Sequence, residues 1–130
     1  MFFVVLLSSC IHSLCFLQVL AFPCNQFSNQ EPGSPDSIQA FLKEKNITFP
    51  VFAKAEVNGP MAHPVFRYLK SRTADPASMQ KEDSTDISWN FNKFLVNRRG
   101  VPVKRYPSDF QADILEHDIE QLLVQNELTS

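Results

Sequence analysis

No Asp, Glu, Lys or Arg occurs between Met1 and Gln30, where His12 is the one titratable base. The 12 Lys plus Arg and 14 Asp plus Glu residues all lie after Gln30, and the formal net charge is −2. That near balance leaves no electrostatic case for nucleic acid as a partner. Cysteine is scarce and odd in number: Cys10, Cys15 and Cys24, with none after Cys24. No second half of a zinc or disulfide framework follows, and Cys10 and Cys15 are too far apart for a CxxC motif. His12, His63 and His117 stand apart with no HExxH spacing, so no metal site is expected. Repeats and low-complexity tracts are lacking. A membrane span wants about 20 predominantly apolar residues, and Ser8, Ser9, His12, Ser13 and Gln18 interrupt this one. What remains is a globular domain behind an uncharged, apolar front end, within a length suited to one core.

Residues 1–21 read at first as a secretory signal peptide, with Val19 and Ala21 at the −3 and −1 positions of a cleavage site. The basic segment that normally opens such a peptide is missing.

Residues 17–22 are apolar and β-capable, as for a strand buried on both faces. Residues 23–33 are punctuated by Pro, Asn, Ser and Gly and read as loop. Ser34-Pro35-Asp36 opens a helix with a cap, a first-position proline and a first-turn acid. Ile38, Phe41 and Leu42 give its inward stripe, and it ends near Asn46. Residues 47–53 alternate, but Pro50 makes them an edge or irregular segment. Pro64 opens a second helix over residues 63–71, burying Val65, Phe66 and Leu69. Residues 72–86 are polar and aperiodic, hence loop. Residues 87–96 and 101–106 flank Asn97-Arg98-Arg99-Gly100 as a β-hairpin. Ser108 and Gln111 resemble a capping box before a last helix that runs to about Gln125.

Leu20-Ala21-Phe22-Pro23-Cys24-Asn25-Gln26-Phe27 closely resembles a signature of the glutathione peroxidases, and Gln30-Glu31-Pro32-Gly33 follows at the expected distance. Phe49-Pro50-Val51-Phe52-Ala53-Lys54 and Val57-Asn58-Gly59 resemble the next family block. Trp89-Asn90-Phe91-Asn92-Lys93-Phe94-Leu95-Val96 resembles the block that carries the catalytic tryptophan and asparagine, and Lys104-Arg105-Tyr106 also fits. The resemblance spans residues 17–123 and implies an α/β, thioredoxin-like fold. It also implies reduction of hydrogen peroxide and organic hydroperoxides in oxidative stress. A cysteine or selenocysteine anion attacks the O–O bond, and a thiol reductant, glutathione or thioredoxin, restores it without a bound cofactor. By the same resemblance Gln30, Trp89 and Asn90 are the nucleophile's catalytic partners. Amide and indole N–H groups donate to a thiolate or a leaving oxygen without adding a competing charge.

The departures matter as much. The family's nucleophile stands in a motif like N-V-A-S-x-C-G-x-T, and counting back to it from Cys24 passes Met1. The first core strand and first helix are therefore expected to be missing or replaced, as in an N-terminally truncated or divergent member. Val4-Val5-Leu6-Leu7-Ser8-Ser9-Cys10 is faintly like that motif, which makes Cys10 a weak substitute nucleophile. A parallel crossover needs a dozen or more residues, more than Cys10 and Leu17 leave between them. Residues 2–7 would pair antiparallel instead. If nothing bridged the second strand and the hairpin, a gap of roughly 10 Å with unpaired backbone would separate them. Cleavage after Ala21 would cut away the signature's own strand, which favours a cytoplasmic chain over a secreted one. Asn46-Ile47-Thr48 has meaning as a glycosylation sequon only in the secreted case.

The position matching the resolving cysteine of thioredoxin-dependent members is Leu42, so that disulfide relay is absent. The short stretch 71–88 resembles the small, monomeric, phospholipid-hydroperoxide type. Arg98, Arg99, Lys104 and Arg105 are a candidate face for an acidic thiol or lipid headgroup, or simply a solvated hairpin. The expected organisation is an apolar segment at 1–16, a glutathione peroxidase-like domain at 17–125 and a tail at 126–130. The expected partners are a hydroperoxide and a thiol reductant, with little turnover from this chain. The alternatives are a non-catalytic thioredoxin-like binding or decoy domain, or a small secreted protein.

Overall fold

The computed structural model describes residues 2–11, 14–73 and 85–128, with side chains for 16–73 and 85–124. His12 and most of the polar loop expected at 72–86 lie outside the described residues. Strand β1 (Phe2–Ile11) and strand β2 (Leu14–Pro23) form a long antiparallel pair from Phe2↔Pro23 to Ile11↔Leu14. Helix α1 spans Pro35–Glu44 and helix α2 Pro64–Arg72. Strands β3 (Lys93–Val96) and β4 (Pro102–Tyr106) make the hairpin, and helix α3 (Ala112–Leu128) closes the chain. The sheet order is β2-β1-β3-β4. This is the thioredoxin-like α/β arrangement with its N-terminal strand replaced and the intervening helix lacking.

The expected gap is filled. β1 runs between β2 and β3, pairing parallel to β3 from Val4↔Lys93 to Leu7↔Val96. It is antiparallel to β2 because only two residues separate the strands, far fewer than a parallel crossover requires. β2 is accordingly three residues longer at its start than its apolar run suggests. Its outer edge is met by Val51 in a parallel bridge, with Ala21 N–H donating to Pro50 O at 3.0 Å and Phe52 N–H to Ala21 O at 2.9 Å. Pro50 offers only its carbonyl there, as an edge proline must.

Side chains alternate across the sheet. Phe22, Phe94 and Val96 pack with Phe66 and Leu69 of α2, while Leu95, Tyr106, Leu17 and Val19 pack with Leu115, Ile119 and Leu122 of α3. Two expected core residues differ. Phe41 is exposed under the Lys45 ammonium, and Val65 is exposed because α2 turns Phe66 and Leu69 inward. The hairpin turn forms as expected, with Gly100 at φ 76° and Asn97 Oδ1 accepting from Arg99 and Val101 N–H at 3.0 Å each.

Tyr106 O–H donates to Asp118 Oδ2 at 2.7 Å, and Lys104 Nζ donates to the same oxygen. Partial burial pushes Asp118 up, but those two hydrogen bonds outweigh it and hold the carboxyl below its ordinary value. A depressed folded-state carboxyl contributes stability above its unfolded value near 3.9 and loses it as pH falls. Asp118→Asn should therefore show a shallower loss of stability below about pH 4 than the parent, read from urea midpoints across pH. Equal slopes would remove Asp118 from the acid response. No helix among the described residues is long and apolar enough to cross a membrane.

Candidate functional site

Gln30 ends a loop held from several sides. Gln30 N–H donates to Phe27 O at 3.3 Å, Asn25 Oδ1 accepts from Glu31 N–H at 2.9 Å, and Lys54 Nζ donates to Glu31 O and Gly33 O at 2.6 and 2.7 Å. Ser28 and Asn29 both take positive φ, so the chain reverses sharply just before Gln30. Gln26 fastens the loop to the next family block. Its Oε1 accepts from Val57 and Asn58 N–H at 2.7 and 3.0 Å, and its Nε2 donates to Asn58 O at 3.0 Å.

Trp89 and Asn90 were expected on a strand running from residue 87. The strand starts only at Lys93, because residues 89–91 turn and Phe91 adopts φ 58°. Trp89 is consequently 43% exposed, edge-on to Phe27 at 6.0 Å, rather than core. Asn90 is fully buried, and its Nδ2 donates to Gln30 Oε1 at 2.9 Å. Its Oδ1 is buried with no hydrogen-bond partner among the described residues. The structure thus brings the three sequence-predicted side chains to one end of the sheet.

Sequence reasoning missed the fastenings of this turn. Asn92 is buried, its Nδ2 donates to Trp89 O at 2.9 Å, and its Oδ1 accepts from Arg105 Nε at 3.3 Å. Ser108 does not cap α3, which begins at Ala112; its hydroxyl donates to Asn90 O. Only a side chain's partner, not its spacing, separates those roles. Asn58 Nδ2 donates to Ile87 O at 2.8 Å, and its Oδ1 accepts from Ile87 N–H and from the buried Lys70 Nζ. Lys70 also pairs with Asp86 at 2.7 Å.

Two candidates lie elsewhere. Val4 faces Lys93 in the register, and Cys10 is six residues further along β1, so about 20 Å separates it from the Asn90 end. The topology does not bring Cys10 to Gln30, Trp89 and Asn90. Cys24 is buried with its Sγ 3.7 Å from Gln26 Oε1, and burial pushes its thiol up, which suits a structural residue and not a thiolate. Of the hairpin cations, Lys104 pairs with Asp118, and Arg105 donates to the carbonyls of Thr85 and Asp86. Among the described residues no three His, Cys, Asp or Glu cluster as a metal site would require.

The glutathione peroxidase family model matches residues 9–70. A hydroperoxy fatty acid reductase of Synechocystis sp. is 49% identical over 106 residues, covering 81% of this chain and 63% of that protein. The chain belongs to the glutathione-peroxidase/thioredoxin-like superfamily. A glutathione peroxidase-like peroxiredoxin of Schizosaccharomyces pombe is 47% identical with the same two coverages. The crystal structure of T. cruzi GPX1 superposes with a TM-score of 0.61 at 26% identity, over 94% of this chain and 81% of that one. The chain therefore spans less than two thirds of those two curated relatives.

A buried amide carbonyl without a partner costs on the order of 1–3 kcal/mol. Replacing Asn90 by the similarly sized Leu removes that cost, and the exposed Gln30 regains water. Asn90→Leu is expected to leave stability within about 1 kcal/mol of the parent or above it, by urea unfolding. A loss of several kcal/mol would show that Asn90 serves the fold.

Proposed function

We propose that this chain carries the substrate-facing part of a hydroperoxide-reducing site and turns over poorly, because among the described residues no nucleophile stands beside it. The observation that supports the reading is the Asn90–Gln30 hydrogen bond beside Trp89, at the end of a sheet whose nucleophile-bearing position is taken by β1. The exposed Trp89 indole and Gln30 amide N–H groups suit the leaving oxygen, and the buried Asn90 amide holds Gln30 Oε1 in place. Gln30, Trp89 and Asn90 are the catalytic partners in this reading. Hydrogen peroxide and organic hydroperoxides are the substrates, the second in keeping with the name of the Synechocystis hydroperoxy fatty acid reductase. Glutathione or thioredoxin is the reducing co-substrate. The short stretch between α2 and β3 supports the small, monomeric, phospholipid-hydroperoxide type.

The test is peroxide consumption by the full chain with glutathione or with thioredoxin and its reductase. Turnover near the uncatalysed background is expected. Robust turnover that vanishes in Cys10→Ser would overturn the reading. Turnover lost only in Cys24→Ser would overturn the structural role of Cys24. The filled strand position also favours a second reading, a non-catalytic domain that keeps the fold. A cooperative unfolding transition without turnover is its signature.

A further inference from the structure

The register of the β1–β2 hairpin makes Cys10 and Cys15 direct cross-strand partners, one pair in from Ile11↔Leu14. Residues opposite each other in an antiparallel pair have Cα atoms about 4.5 or 5.5 Å apart, depending on whether the pair is hydrogen-bonded. Both values fall inside the roughly 4.4–6.8 Å range that a disulfide spans. Opposed residues also lie on the same face of a sheet. The two cysteines too far apart in sequence for a CxxC are thus placed together by pairing. β1 is joined to β3 from Val4 to Leu7, so among the described residues the hairpin at Cys10 is paired only with itself.

We propose that Cys10 and Cys15 form a cross-strand dithiol that hydroperoxides oxidise to an intramolecular disulfide. One thiolate attacks the O–O bond, which breaks to give an alcohol or water and a cysteine sulfenic acid. The second thiolate attacks that sulfur, the S–S bond forms and water leaves. In sum, two thiols and one hydroperoxide give one disulfide, one alcohol and one water, with two electrons passing from sulfur to peroxide oxygen. Cys24 stays outside the reaction. It lies nine residues beyond Cys15, about 30 Å along the strand, and is buried with its thiol held protonated. The disulfide fixes the hairpin's register, since a one-residue slip would put the two cysteines on opposite faces. The site stands apart from Gln30, Trp89 and Asn90, and its disulfide is an end state that glutathione and thioredoxin do not recycle: it consumes one equivalent of peroxide without added reductant, whereas the proposed function concerns turnover with one.

The test uses the full chain, reduced, desalted and treated with a small excess of hydrogen peroxide. Free thiols are then counted under denaturing conditions and the disulfide located by peptide mass mapping. The expected result is a fall from three thiols to one, with Cys10 linked to Cys15 and Cys24 free. Cys24→Ser should keep the link; Cys10→Ser and Cys15→Ser should each lose it. The link should form many-fold faster in the folded chain than in guanidinium chloride. A link to Cys24, chain-to-chain disulfides, three surviving thiols in the folded chain, or equal rates folded and unfolded would each overturn the proposal. Because the parent chain alone decides these, a misfolding serine variant does not rescue it.

Discussion

Leu6→Pro is expected to destroy cooperative folding. Leu6 pairs with Val19 on one side and Leu95 on the other, so its strand is central over this stretch. Proline removes a ladder donor, leaves its acceptor unsatisfied and places a ring where a neighbouring strand passes. The loss is at least about 3 kcal/mol from the backbone alone, against a total stability of about 5–15 kcal/mol for a domain. It also opens the sheet between β2 and β3. Ile11→Pro is the internal control: Ile11 lies beyond the β3 pairing and touches only Leu14 in the register. Circular dichroism with urea titration should show a broad or absent transition for Leu6→Pro and a cooperative one for Ile11→Pro. Equal transitions in the two variants would show that β1 does not sit inside the sheet.

Phe66→Ala should cost about 3–5 kcal/mol. The ring is wholly buried, edge-on to Phe22 at 5.2 Å and to Phe94 at 6.3 Å. Those contacts join α2 to β2 and β3 at once, so surrounding groups cannot collapse into the space from one side. Phe22 is stacked on Phe52 at 4.6 Å, which carries the disturbance into the segment that supports the Gln30 loop through Lys54. Phe66→Leu, keeping most of the volume, should cost clearly less. Urea midpoints at constant slope measure both. A cost below about 1 kcal/mol for the alanine variant would place Phe66 outside the core.

The parts of this molecule legible in the sequence are those with local causes. Ser34 and Pro35 start α1, Pro64 starts α2, and Asn97 with Gly100 closes the hairpin, each through its own backbone preferences. The ordered family blocks pointed to Gln30, Trp89 and Asn90, and the fold gathers them. What the sequence did not show depends on partners far along the chain. The positive φ of Phe91 shortens β3 because Asn92, Ser108 and Arg105 hold the turn before it, and no periodicity reports that. The placement of β1 was legible only in part. Its short connection to β2 excluded a parallel crossover, but nothing in an uncharged run states which strand it will join on its other side.

β1 lies between β2 and β3 in the sheet, antiparallel to the first and parallel to the second. Cross-strand proton contacts by nuclear magnetic resonance on the full chain test this arrangement most directly. Contacts are expected from Val4 to Ala21 and Lys93, and from Leu7 to Gln18 and Val96. Contacts that instead advance along β2 as they advance along β1, or none between β1 and β3, would contradict it.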